Sequence, residues 1–258
     1  MKKMIIVALS ALFLMYGCEK NPTDTDDTII ELSDEDKMAI ISAEVSSDNG
    51  GMMADLEMAS ATATTGQPGS LKKEAGYDTT FTTQWITYTL SFAFYTADGR
   101  EQLTYVENLT DRMTYISSLT GNYNVEGARQ SIQLEKGSNL TVSGMTTSNL
   151  KFNGTSTNNS TYTFDGLRND LAVTVESAYT VTDLAVAKNP TTPFPTSGKL
   201  ECSFKGDYYR DGIIKDKGVA YNFNVTIQFS GGSQVNVTLP GGAKFTLDLA
   251  SGDYSEME

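Results

Sequence analysis

From about residue 79 onward, apolar side chains recur at every second position in run after run, and several of the runs are joined by segments too short to hold a crossover helix. Ile86, Tyr88, Leu90, Phe92 and Phe94 share one phase, and Thr87, Thr89 and Ser91 take the other. The pattern returns with Leu171, Val173, Val175, Tyr179 and Val181, with Leu200, Cys202, Phe204 and Tyr208, and with alternate residues from Val219 to Phe229. Val235, Val237 and Leu239 and then Phe245, Leu247 and Leu249 close the series. A strand sends successive side chains to opposite faces, so each run describes a strand with one dry and one wet side. Weaker runs at 128–135, 140–143, 150–156 and 161–164 bring the total to about ten strands.

The connections carry turn residues: Ala97-Asp98-Gly99, Lys136-Gly137-Ser138-Asn139, Asp165-Gly166, Gly231-Gly232 and Pro240-Gly241-Gly242. Parallel neighbours need a crossover of a dozen or more residues, so strands joined this tightly are antiparallel. The expected fold is mainly β, an antiparallel meander forming a curved sheet, half-barrel or sandwich. Residues 153–163 (NGTSTNNSTYT) are low in complexity and are expected to form an exposed hairpin.

A short helical segment precedes the strands. Ser33-Asp34-Glu35-Asp36 has the makings of a capping box, with three acids at the positive end of a helix dipole. Met38, Ile41 and Val45 then follow at helical spacing until Asn49-Gly50-Gly51, and a second helix is expected from 52 to 61. Residues 62–76 have linker composition. The helices are therefore expected to be peripheral, so that a chain lacking residues 19–76 would still unfold cooperatively.

The first residues give an address. Met1, Lys2 and Lys3 precede an almost wholly apolar run from 4 to 16, the layout of an export signal. At about 13 residues the run falls short of the roughly 20 a membrane-spanning helix needs. Met15-Tyr16-Gly17-Cys18 resembles a lipobox, the bacterial signal for acylation of a cysteine and cleavage before it; Gly17 and Cys18 match, Met15 is tolerated and Tyr16 is atypical. Residues 19–31 (EKNPTDTDDTIIE) are too polar to fold alone and read as a tether. The expected organisation is a signal over 1–17, an acidic tether over 18–32, helices and linker over 33–76, a β domain over 77–250 and a tail over 251–258.

Charge and residue types narrow the chemistry. With Lys2 and Lys3 removed, the 19 basic residues fall to 17 against 32 acidic ones, a net charge of −15. That balance opposes nucleic-acid binding, which requires basic surface to neutralise phosphates. The chain has no histidine, which removes Ser-His-Asp and Cys-His catalysis and every histidine-bearing zinc site. Of its two cysteines, Cys18 belongs to the lipobox, so Cys202 has no disulfide partner and is expected in the core beside Leu200 and Phe204. No cofactor motif is present; the glycine pairs lack the Lys-Ser/Thr of a phosphate loop.

Few residues remain as site candidates. Asp207, Asp211 and Asp216 crowd one expected hairpin end with Tyr208, Tyr209 and Arg210, where carboxylates can hold calcium or a sugar, although the spacing fits neither an EF-hand nor a glycosidase signature. Ser70-Leu71-Lys72-Lys73 and Ser47-Asp48-Asn49 spell fragments of the β-lactamase motifs, but in reversed order and without K-T-G. Triplets at Asn108, Asn139, Asn153 and Asn236 match the glycan-acceptor pattern and, behind a lipobox, reflect a Thr/Asn-rich strand composition.

Lipobox, acidic tether, short helical segment and Thr/Asn-rich strands together resemble the layout of bacterial surface or periplasmic lipoproteins. The resemblance implies a chain anchored through lipid on Cys18 in the cell envelope, with Glu19 after the cysteine favouring the outer membrane. It brings no activity and no site residues. The leading expectation is a noncatalytic binding, adhesion or structural protein whose partner is a glycan, a protein or an apolar molecule. The alternatives are a carrier holding a lipid or apolar ligand in a concave sheet, lined by residues such as Phe92, Phe223 and Phe229, and a histidine-free, carboxylate-dependent glycosidase.

Overall fold

The computed structural model describes residues 32–66, 78–83, 85–125, 130–165, 170–188, 194–210 and 219–257. Two helices come first, α1 (Asp34–Val45) and α2 (Met52–Thr65). The strands follow as β1 (Asp78–Thr82), β2 (Ile86–Thr96), β3 (Glu101–Gln102), β4 (Thr110–Val125), β5 (Gln130–Ser143) and β6 (Asn149–Asp165). After them come β7 (Asp170–Ala187), β8 (Ser197–Arg210), β9 (Val219–Gln228), β10 (Gln234–Thr238), β11 (Lys244–Asp248) and β12 (Tyr254–Glu256). A nine-stranded antiparallel sheet runs β1-β2-β4-β5-β6-β7-β8-β9 with β3 added beside β2, and it does not close. Strands β10, β11 and β12 form a second sheet of three, so residues expected as a tail supply its last strand.

The mainly β, antiparallel architecture and its helical preface agree with the alternation in the sequence. In β9 every second residue is buried, Tyr221, Phe223, Val225 and Ile227 facing inward and the intervening Asn and Thr residues outward. The glycine pairs at 231–232 and 241–242 are turns, with Gly242 donating to the Leu239 carbonyl.

Several boundaries differ from expectation, for one physical reason. The inner face carries small polar side chains where apolar ones would mark the phase. Ser117 on β4 pairs with Ser138 on β5, and Ser138 with Ser156 on β6; one step along, Asn158 on β6 pairs with Ser177 on β7. All five side chains are buried. This seam hides β4 from an apolar-alternation test, and it makes Lys136-Gly137-Ser138-Asn139 look like a turn when it lies in mid-β5. The same seam overturns the hairpin expected at 153–163, which is the middle of the 17-residue strand β6.

The helices are not peripheral. Met38, Ile41 and Val45 of α1 and Met52, Leu56, Ala59 and Ala63 of α2 belong to the same buried cluster as Leu90, Phe94, Tyr115, Leu140 and Leu200 of the sheet. Ser33 caps α1 by accepting from the Asp36 amide at 3.1 Å, as its capping box predicts. Helix α2 runs past residue 61 to Thr65, with Thr62, Thr64 and Thr65 donating their hydroxyls to the carbonyls of Met58, Ser60 and Ala61. Gly66 then ends it in the left-handed conformation. Between the helices, Gly51 lies against the Glu44 and Val45 backbone so closely that a Cβ would collide with it, which lets α2 fold back beside α1.

The small sheet covers the other side of α1. Ser47 and Asp48 donate backbone bonds to the Leu249 and Ala250 carbonyls, and the Ser42 hydroxyl donates to the Gly252 carbonyl at 2.5 Å. With the large sheet on one side and this one on the other, α1 buries six residues, Ser42 and Glu44 among them. Among the described residues no helix is long and apolar enough to cross a membrane.

Candidate functional site

Where the helices meet the polar seam, they bring two carboxylates to the sheet. Asp55 of α2 accepts from the Ser138 hydroxyl at 2.9 Å and lies 3.8 Å from the Lys136 ammonium, which also donates to the Gly50 carbonyl. Glu44 of α1 is 4% exposed, and its Oε2 accepts from Asn158 Nδ2 at 2.6 Å, Ser177 Oγ at 2.8 Å and Tyr179 OH at 3.2 Å. Lys136 and Asn158 are paired across β5 and β6, so the two carboxylates sit over neighbouring strands. Asp55 has a cation; the partners of Glu44 are all neutral.

Phenols crowd the same region. Burial and the nearby Glu44 carboxylate raise the Tyr179, Tyr162 and Tyr221 hydroxyls above the ordinary phenol range. Tyr221 crosses over Gly206, its cross-strand partner, and donates to the Thr174 carbonyl at 2.7 Å. That crossing is available because position 206 has no side chain; a Cβ there would strike both the Thr174 carbonyl and the Tyr221 hydroxyl. Toward α2, burial pushes Tyr88 up to about 12, and its hydroxyl donates to Met58 Sδ and lies 2.9 Å from that of Tyr115.

Two further polar atoms are buried in this region. Asn158 Oδ1 has no hydrogen-bond partner, and the Ser160 hydroxyl lies beside the Tyr162 phenol. Both belong to the inward phase of β6.

The residues singled out from sequence fall elsewhere. Asp207 lies on the exposed phase of β8, its amide donating to Thr174 Oγ1 at 2.8 Å, while Asp211 and Asp216 are outside the described residues, as is Cys18. Among the described residues no three acidic or thiol groups are placed to hold a metal. Cys202 is buried between Tyr179 and Val225 on neighbouring strands, and burial raises its thiol well above the usual range, the opposite of an activated nucleophile. Phe92 packs on Phe94, and Phe223 on Phe204 and Tyr221, so these rings fill core on strands at opposite ends of the sheet.

Glu44 was legible in the sequence as a charge beside Val45, three residues after Ile41, on the apolar stripe of α1. Ser177 was legible as a polar residue at the inward phase between Val175 and Tyr179. Comparison with protein-family models, curated proteins and solved structures finds no match to this chain.

Proposed function

We propose that the mature chain is a lipid-anchored protein of the bacterial envelope, held at the outer membrane through Cys18, that binds a ligand on its β domain without catalysing a reaction. The observation that carries the anchor is the apolar run ending at Met15-Tyr16-Gly17-Cys18, followed by a thirteen-residue tether, 19–31, that is mostly polar and acidic. At about 0.8 kcal/mol per buried methylene, two or three acyl chains on one cysteine make a durable attachment.

The interior supports a binding role over a catalytic one. The thiol is buried, Asp207 faces outward, and Asp55 is engaged by a hydroxyl and an ammonium. Binding draws support from the opposite property of the Glu44 region, where a buried carboxylate meets only neutral donors and Asn158 Oδ1 is buried without a hydrogen-bond partner. Native interiors satisfy the great majority of such groups, and exceptions cluster where a ligand, ion or water completes them.

The anchor is tested by expressing the full chain in a bacterium with labelled palmitate. Wild type is expected to take up label and fractionate with membranes, and Cys18→Ser to lose both. Label retained by Cys18→Ser would remove the lipoprotein reading.

A further inference from the structure

We infer that β9 is an association edge, where two copies of this chain join antiparallel, β9 against β9, into one continuous sheet about a two-fold axis. The inference goes beyond the reading above and does not depend on it.

The edge lacks the devices that keep sheets from pairing. A strand at the end of a sheet offers a row of free N–H and C=O groups, which proteins guard with charge, proline, bulges or short length. Of the edge strands among the described residues, β1, β3, β9, β10 and β12, β9 is the longest at 10 residues. Its sequence, VAYNFNVTIQ, has no charged residue, proline or glycine. Its ladder with β8 runs from Val219 to Gln228 without a shift of register, whereas β2 with β4, β6 with β7 and β7 with β8 all shift. At the opposite end of the sheet, β1 is short and carries Asp78. Among the described residues the backbone of β9 bonds only to β8. The small sheet sits on α1, on the inner side of the large sheet, and takes no ladder bond from β9.

Charge and symmetry select the occupant. A net charge of −13 opposes self-association except where the contact is uncharged. Strand β9 is such a contact: Asn222, Asn224, Thr226 and Gln228 are exposed on its outer face, and Tyr221, Phe223, Val225 and Ile227 are buried on its inner one. On β8 beside it, Lys199 and Lys205 are already paired with Glu201 and Glu176. A strand laid antiparallel on its own copy keeps both phases in step, amides and hydroxyls meeting outside and apolar side chains inside. The contact is self-complementary and consumes the free β9 edge of both chains, so it closes at two.

The test is sedimentation equilibrium of the full chain in density-matched detergent with a reductant present, loaded from about 1 to about 100 μM, the range in which a small interface dissociates. Wild type is expected to be a reversible dimer. Asn222→Lys, Asn224→Lys and Thr226→Lys made together set like charges opposite one another and should raise the dissociation constant roughly tenfold or more. Asp at the same three positions should act alike, and an equimolar mixture of the Lys and Asp chains should sediment as a dimer. Each variant is checked for a wild-type unfolding midpoint. Milder changes give a second readout: Asn222→Cys, Asn224→Cys and Thr226→Cys, made singly, should form disulfide-linked dimers on oxidation beyond the wild-type level, most at the position nearest the axis. A wild type that stays monomeric overturns the dimer and leaves the edge to a strand from another protein. A dimer unmoved by either charge set, a mixture of folded Lys and Asp chains that stays monomeric, or no cross-link at any of the three cysteines overturns the β9 edge as the contact.

Discussion

Deleting residues 32–66 is expected to abolish the cooperative unfolding transition of the remaining chain. Met38, Ile40, Ile41, Val45, Met52, Met53 and Leu56 are buried against the sheet, and such side chains contribute about 1.5–3 kcal/mol each on burial. Their loss therefore removes on the order of 10 kcal/mol, comparable with the whole stability of a typical domain at about 5–15 kcal/mol. The deletion also uncovers Leu90, Phe94, Tyr115 and Leu140 and strips the seam of Glu44 and Asp55. Urea titration followed by near-ultraviolet circular dichroism reads the outcome. A sharp transition with a slope close to that of the intact chain would show that the sheet folds without its helices, as the linker-like composition of residues 62–76 suggests when read alone.

Stability should also collapse in alkali. The phenols of Tyr88, Tyr115, Tyr162 and Tyr179 are raised above their ordinary value, burial being the largest cause in each. A raised phenol is neutral in the folded chain at a pH where the unfolded chain has begun to ionise, so the unfolded state releases protons first. Stability from these groups is thus fully present below about pH 10, the ordinary phenol value, and falls as pH rises beyond it. Each group contributes about 1.4 kcal/mol per pH unit over that window, so four together give a fall of roughly 5–6 kcal/mol per unit. The contribution of Tyr88 levels off near its folded value of about 12. Buried Cys202, raised from an ordinary value near 9, starts the decline slightly earlier. Urea midpoints measured from pH 8 to 11 should be level and then drop steeply, with phenolate absorbance from these residues appearing only on unfolding. A flat midpoint through pH 11 would show that the phenols are in contact with water.

Strand content and antiparallel order were readable because β9, β10 and β11 alternate apolar and polar residues throughout, and β2 and β8 do so over most of their length. Strands β4 to β6 were obscured where their inward positions hold Ser117, Ser138, Ser156, Asn158 and Ser160. Ser138 and Asn158 meet the carboxylates that α2 and α1 bring to them, a requirement set by chain segments up to 114 positions away, as between Glu44 and Asn158. Local periodicity cannot register a partner so distant. The helices were found but placed outside the core because their faces are mixed. Helix α1 is held by the large sheet and by the turn between β11 and β12, so its buried residues extend beyond the Met38, Ile41 and Val45 stripe to Ile40, Ser42 and Glu44, polar ones among them. The candidate aspartates drew notice through their spacing along the chain, yet β8 turns Asp207 to the wet face.

Fold and site both depend on the seating of α1 on β6 and β7 through Glu44, and a double-mutant cycle between Glu44→Gln and Ser177→Ala measures that contact. Hydrogen bonds to a charged group are worth about 1.5–3 kcal/mol, and residues sharing a buried network couple by roughly 0.5–3 kcal/mol. The cycle, read from urea denaturation of the two single variants, the double variant and wild type, should give a coupling of about 1–2 kcal/mol. Additivity of the two substitutions to within about 0.3 kcal/mol would mean that Glu44 and Ser177 do not meet, and would contradict the buried seam between the helices and the sheet.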